Sequence, residues 1–157
     1  MSDTHFDLLV IGGGSGGLAV AEKAAQFGKK VAIIEASKMG GTCVNNGCVP
    51  KKVMWYAANI AHSIHNAADF GIPVEAGEVD WNKLITGREN YIQNINQYWD
   101  SYVLDLKIQH IKGYAKFNGH KQVDVNGQSY TADHIVIATG TMPIVPNVPG
   151  AELGITS

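Results

Sequence analysis

The feature that most constrains this chain is a glycine cluster set between two apolar runs. Phe6 to Ile11 is apolar but for Asp7 and is followed at once by Gly12-Gly13-Gly14-Ser15-Gly16-Gly17. Leu18 to Phe27 is Ala-rich with helical spacing, and Gly28 suits a helix stop. Lys30 to Glu35 carries a second apolar run, Val31-Ala32-Ile33-Ile34, of the kind found in parallel strands buried on both faces. The segment up to Glu35 therefore predicts one strand–helix–strand unit, right-handed by the general rule for such crossovers.

Within that unit, Gly12-x-Gly14-x-x-Gly17 has the spacing of a dinucleotide fingerprint, and Glu35 ends the second strand where the fingerprint needs an acid. Gly12 permits a tight turn, Gly14 lets a pyrophosphate approach the backbone, and Gly17 lets helix and strand pack closely. The free N–H groups and the dipole of the helix start face the phosphates. Glu35 can accept hydrogen bonds from both ribose hydroxyls, and its charge disfavours a 2′-phosphate at this site.

Cys43 and Cys48 are separated by four residues, and they are the two cysteines of the chain. Their Cα atoms can reach disulfide distance if the intervening segment turns, which Asn45-Asn46 and Gly47 tolerate. So small a ring opens and closes readily, as a redox couple requires. A helix beginning near Cys48, with Pro50 in its first turn, favours a thiolate there. A metal site wants more thiolates or nearby histidines. His62 and His65 lie one turn apart but far along the next helix, so no metal is expected. His5, His110, His120 and His134 fall in or beside strands and turns and read as surface or structural residues.

Helical spacing runs from Val53 to about residue 66 and again from Trp81 to about Leu106, with a loop over residues 68–79. Short strands are predicted at residues 110–112, 114–117, 122–125 and 128–131. With Asn118-Gly119 and Asn126-Gly127 between them they read as an antiparallel meander. His134 to Ala138 returns to the all-apolar parallel type and ends in Thr139-Gly140; Pro143, Pro146 and Pro149 suit a linker. The fold class is α/β, a doubly wound parallel sheet with an antiparallel β-meander, in one domain over residues 1–157.

The net charge of −2 offers no surface for nucleic acid. No secretory signal and no run of about 18 apolar residues is present, so the expectation is a cytoplasmic protein that does not enter a membrane.

The segment Gly40-Gly41-Thr42-Cys43-Val-Asn-Asn-Gly-Cys48-Val-Pro-Lys51-Lys52 resembles the redox-active segment of the pyridine nucleotide-disulfide oxidoreductases. Lys51-Lys52-Val-Met-Trp55 is most similar to the glutathione reductase branch of that family, and the resemblance runs from the fingerprint to Thr139-Gly140. It implies a Rossmann-like FAD-binding domain and FAD as cofactor. It implies that Ser15 and Gly16 meet the FAD pyrophosphate, Glu35 the adenosine ribose and Thr42 the diphosphate. Cys48 is implied as the charge-transfer thiol and Cys43 as the interchange thiol. Lys51 is implied to face flavin N5, with Lys52 as the alternative. Ala115 is implied to pack against the adenine, and Thr139-Gly140 to close the flavin site. The implied reaction takes electrons from NADPH through FAD to the Cys43–Cys48 pair and on to a disulfide, glutathione disulfide first among them, in a homodimer.

Three positions depart from the glutathione pattern. Glu22 stands where the family usually offers an arginine, Trp99 (with Tyr98 beside it) where a tyrosine lines the disulfide site, and Asn46 where valine is usual. They leave the flavin chemistry intact and the identity of the disulfide open. Rival readings are sister flavoproteins such as dihydrolipoyl dehydrogenase, thioredoxin reductase or mercuric reductase, a stand-alone FAD-binding module, and an NAD-binding dehydrogenase domain with coincidental cysteines. There is no second glycine fingerprint and no His-Glu pair of the family's acid–base kind. The expectation is an N-terminal piece in which the NADPH site and the dimerisation region are not encoded.

Overall fold

A computed structural model of the chain describes residues 4–75 and 77–156. Strand β1 (His5–Ile11), helix α1 (Ser15–Gln26) and strand β2 (Val31–Glu35) form the expected unit, with β1 and β2 parallel and Ile11 opposite Ile34. Val31, Ala32, Ile33 and Ile34 are all buried, and they alternate between two cores. Ala32 and Ile34 join Phe6, Leu9 and Ile11 on one face, while Val31 and Ile33 join Val10, Leu18 and Ala21 under α1 on the other. Each buried Val, Leu, Ile or Phe side chain among them contributes about 1.5–3 kcal/mol.

The chain continues into a short helix α2 (Gly41–Asn45), the long helix α3 (Cys48–Asn66), a 3-10 turn at Ala67–Phe70 and helix α4 (Trp81–Asp105). Asp80 caps α4, its carboxylate accepting from the Lys83 N–H at 3.0 Å. Helix α4 buries Ile92 and Val103, whereas α3 buries none of its residues and rests on α2 and α4.

Four further strands, β3 (Gln109–Lys112), β4 (Lys116–Gly119), β5 (Gln122–Val125) and β6 (Gln128–Ile137), complete one six-stranded sheet in the order β3-β2-β1-β6-β5-β4. The part β3-β2-β1-β6 is parallel and β6-β5-β4 is antiparallel, so the α/β class with an antiparallel meander holds.

Four details differ from the sequence expectation. The strand around residues 110–112 is not in the meander: β3 runs parallel to β2, with His110 opposite Ile33. The helical crossover that precedes it returns the chain in the same direction, as parallel pairing requires. The segments 128–131 and 134–138 are not two strands but one, β6, antiparallel to β5 at its start and parallel to β1 from Thr131 to Ile137. Asn118-Gly119 is not a turn, because Gly119 still pairs with Gln122 and the chain reverses at His120-Lys121, where Lys121 takes φ 52°. Asn126-Gly127, with φ 55° and 82°, is the expected two-residue reversal. The apolar end of β6 is not sealed on both faces either, since Ile137 is 66% exposed. Among the described residues no helix is long and apolar enough to cross a membrane.

Candidate active site

The turn between β1 and α1 is built by backbone contacts that a side chain would break. Gly12 has φ +109°, and a Cβ there would lie 2.2 Å from the Ala138 carbonyl oxygen. A Cβ on Gly17 would lie 1.9 Å from the Gly12 carbonyl oxygen, so Gly17 serves the close packing of helix on strand. Gly14 and Gly16 differ. A Cβ on Gly14 would meet only the Gly41 Cα, at an ordinary 3.7 Å, and one on Gly16 would meet nothing within 4 Å. Helix α1 has no side-chain cap. Its first intrahelical bond runs from the Leu18 N–H to the Gly14 carbonyl, so the preceding N–H groups of the first turn have no intrahelical acceptor.

Glu35 stands at the end of β2 with both carboxylate oxygens engaged. Oε2 accepts from the Gly13 N–H and Oε1 from the Ser37 N–H, each at 2.7 Å. Each oxygen keeps a second lone pair for a further donor. Gly12, Gly14, Ser15, Gly16, Glu35, Thr42, Cys43, Thr139 and Gly140 all line one cavity of about 380 Å³. A second cavity of about 850 Å³ is lined by Cys48, Pro50, Lys51, Arg88 and Glu89. Ser37, Lys38, Asn45 and Asn46 line both, so the two are halves of one cleft. Gly17 and Ala115 lie outside it. Ala115 packs against the core cluster that holds Ile111 and Val125.

The thiols occupy two helices. Cys43 is the middle residue of α2 and Cys48 the first of α3, a helix N-terminus where negative charge is stabilised. The reversal between them falls at Asn46 and Gly47, and a Cβ on Gly47 would lie 2.9 Å from the Thr42 carbonyl oxygen. Both cysteines are thiols here, Cys48 exposed and Cys43 half-buried. The Cys43 thiol is held above its ordinary range, first by the hydrogen bond it shares with the Cys48 side chain, then by burial and by the Cys48 charge; a hydrogen bond to the Cys48 backbone and, after it, the Lys51 charge pull the other way. Among the described residues no group of three or more His, Cys, Asp or Glu is placed to hold a metal ion.

Glu22 and Trp99 come together at a smaller cavity of about 160 Å³ beside Ser15, Gly40 and Val44. The Glu22 carboxylate accepts from the Tyr102 hydroxyl at 2.9 Å and from the Gln26 amide at 3.0 Å.

The family model described as pyridine nucleotide-disulphide oxidoreductase matches residues 6–157. The chain belongs to this family. Among curated members it is similar to a glutathione reductase of Yarrowia lipolytica (strain CLIB 122 / E 150), 42% identical over 98% of this chain. The chain spans about a third (36%) of that relative's length. Family membership agrees with a cleft that brings the fingerprint, the acid and both thiols together.

Several residues of the cleft carry no sequence signal. Ser37 and Lys38 follow the acid without any motif, and Arg88 reaches the thiol half from α4. Helix α2 was also not legible, since five residues beginning with glycine have no helical period to read.

Proposed function

We propose that this chain is the FAD-binding, thiol-bearing part of an NADPH-dependent disulfide reductase of the glutathione reductase type, working in the cytoplasm as part of a homodimer. The observation that carries the reading is the single cleft with the fingerprint turn and Glu35 at one end and Cys48 with Lys51 at the other. The residues fit the cofactor. Gly14 and Gly16 leave room that no protein packing requires, the uncapped start of α1 suits a pyrophosphate, and Glu35 retains lone pairs for ribose hydroxyls. Ser15, Gly16, Thr42, Thr139 and Gly140 would hold the same group, with Ala115 on its adenine side.

When bound, the flavin supplies two electrons taken from NADPH, whose own site this reading places outside the chain. The residues of the chain do the rest. Reduced Cys43, as thiolate, attacks one sulfur of the substrate disulfide. That S–S bond breaks, and the leaving thiolate takes a proton. Cys48 then attacks Cys43 in the mixed disulfide and releases the second thiol, so the substrate gains two electrons and the pair becomes a disulfide. Lys51 contributes positive charge beside Cys48, and the start of α3 adds to it.

The test is to purify the chain, add FAD, remove the excess and record the spectrum, then alkylate without reductant and count modified cysteines. A retained flavin band with neither cysteine modified is expected. A colourless protein, or two alkylated cysteines after oxidation, rejects the reading. One observation favours a second reading, a disulfide other than that of glutathione. Glu22 places a held carboxylate at the small cavity next to Trp99, where the family offers an arginine to an anionic substrate.

A further inference from the structure

The position of Cys43 depends on a helix that cannot hold itself. Helix α2 has five residues. An isolated helix of that length is unstable, because the cost of its first turn is never recovered. It also starts from two left-handed glycines, Gly40 at φ 98° and Gly41 at φ 59°, and breaks off at Asn46. Its geometry is imposed from outside. On one side the Gly40 N–H donates to the Gly13 carbonyl at 2.8 Å, in the fingerprint turn. On the other side stands Asn96 of α4. Its amide nitrogen donates to the Met39 carbonyl at 2.8 Å and to the Asn45 side-chain oxygen at 3.0 Å. The Asn45 amide in turn donates to the Met39 and Gly41 carbonyls at 3.3 and 2.9 Å. Asn96 thus ties Met39, ahead of the cap residue Gly40, to Asn45, the last residue of α2, with Cys43 between them. All these groups are neutral, so the tie acts through geometry and not through charge.

We propose that Asn96 is a positioning residue for the thiol pair: by fixing α2 it sets the effective concentration of the Cys43 sulfur at Cys48, and through it the redox potential of the pair. The inference rests on the reading of Cys43 and Cys48 as a redox couple. Closing a disulfide converts two thiols to one S–S bond, with two electrons passing to an external disulfide, here oxidised glutathione supplied as the buffer. The more firmly the two sulfurs are held in reach, the further that exchange lies toward the closed pair.

The test uses the flavin-loaded protein in its complete chain, equilibrated in reduced and oxidised glutathione at graded ratios, with the Cys43–Cys48 disulfide counted by alkylation and mass spectrometry. Asn96→Ala and the volume-matched Asn96→Leu should shift the equilibrium about tenfold toward the dithiol, about 30 mV to the positive side. Asn45→Ala removes the tie from the other end and stands in where an Asn96 variant does not fold. The double variant Asn45→Ala/Asn96→Ala should shift no further than the larger single change, because both act through one tie. Gln97→Ala, an exposed neighbour on α4, should leave the potential unchanged. Folded variants within twofold of wild type, or strictly additive shifts, overturn the role of Asn96 while leaving the redox pair intact. A wild-type protein that forms no Cys43–Cys48 disulfide at any ratio overturns the redox reading and this inference with it.

Discussion

The carboxylate of Glu35 accepts a 2.7 Å hydrogen bond from the backbone N–H of Gly13, joining the end of the second strand to the turn after the first. The Ser37 N–H donates to its other oxygen, also at 2.7 Å. The acid that the fingerprint assigns to a ribose therefore also holds the glycine turn of that fingerprint. Charge-assisted bonds of this kind are worth about 1.5–3 kcal/mol. Glu35→Ala should lower stability by about 1–3 kcal/mol without any flavin, and weaken flavin binding by a comparable amount. Urea unfolding with and without FAD separates the two effects. Loss of flavin affinity at unchanged stability would show that water replaces the carboxylate at Gly13.

Gly16 and Gly17 are adjacent and should behave oppositely. Gly17→Ala drives a Cβ to 1.9 Å from the Gly12 carbonyl oxygen, a contact between backbones that no rotamer relieves. It should cost about 3 kcal/mol, the upper part of the range for overpacking, and displace α1 from β1. Gly16→Ala meets nothing within 4 Å and should leave thermal unfolding unchanged or slightly raised, while hindering a pyrophosphate at the helix start. Equal destabilisation by the two changes would contradict the packing described for Gly17.

The pH dependence of Cys43 has a definite sign. Its thiol is raised first by the hydrogen bond with Cys48 and lowered by Lys51, so the alkylation rate of Cys43 in reduced protein should climb at higher pH than that of an ordinary thiol. Cys48→Ala should move that profile down in pH, and Lys51→Met should move it up. A raised folded-state value also means that the group's stabilising contribution is complete below the unfolded thiol range and is lost as pH rises through the folded one. An alkylation profile that does not respond to Cys48→Ala would remove the hydrogen bond as its cause.

The reversal between β5 and β6 isolates backbone strain from packing. Gly127 has φ +82°, and a Cβ there would meet nothing within 4 Å. Gly127→Ala should therefore cost about 1–2 kcal/mol, the penalty for a left-handed L residue, and leave flavin binding and the thiol equilibrium as they were. A larger loss on chemical denaturation would mean that the strand register of the meander also shifts.

Local rules were enough to read the first unit from the sequence alone. An apolar run, glycines at fixed spacing, a helical period and an acid at the end of the next run specify β1, α1, β2 and the place of Glu35, because each is set by residues close in the chain. The same holds for Asn126-Gly127 and for the long helix α4, and the spacing of Cys43 and Cys48 marked them as a pair. The partner of each later strand was beyond local rules. That β3 joins β2 in parallel, and that β6 serves β5 and β1 at once, follows from the crossover through α4 and from which apolar faces remain to be covered. Helix α2 shows the limit most clearly. Five residues starting from glycine carry no period and no propensity, and they are helical because Gly13 and Asn96 hold them from two sides. Asn96 lies 51 residues from Asn45 and 57 from Met39, so no window of sequence contains that relation. The residues read as chemistry-bearing stand out in the sequence because their types and spacings are chemical requirements; Asn96 does not, because its contacts exist only once the chain has folded.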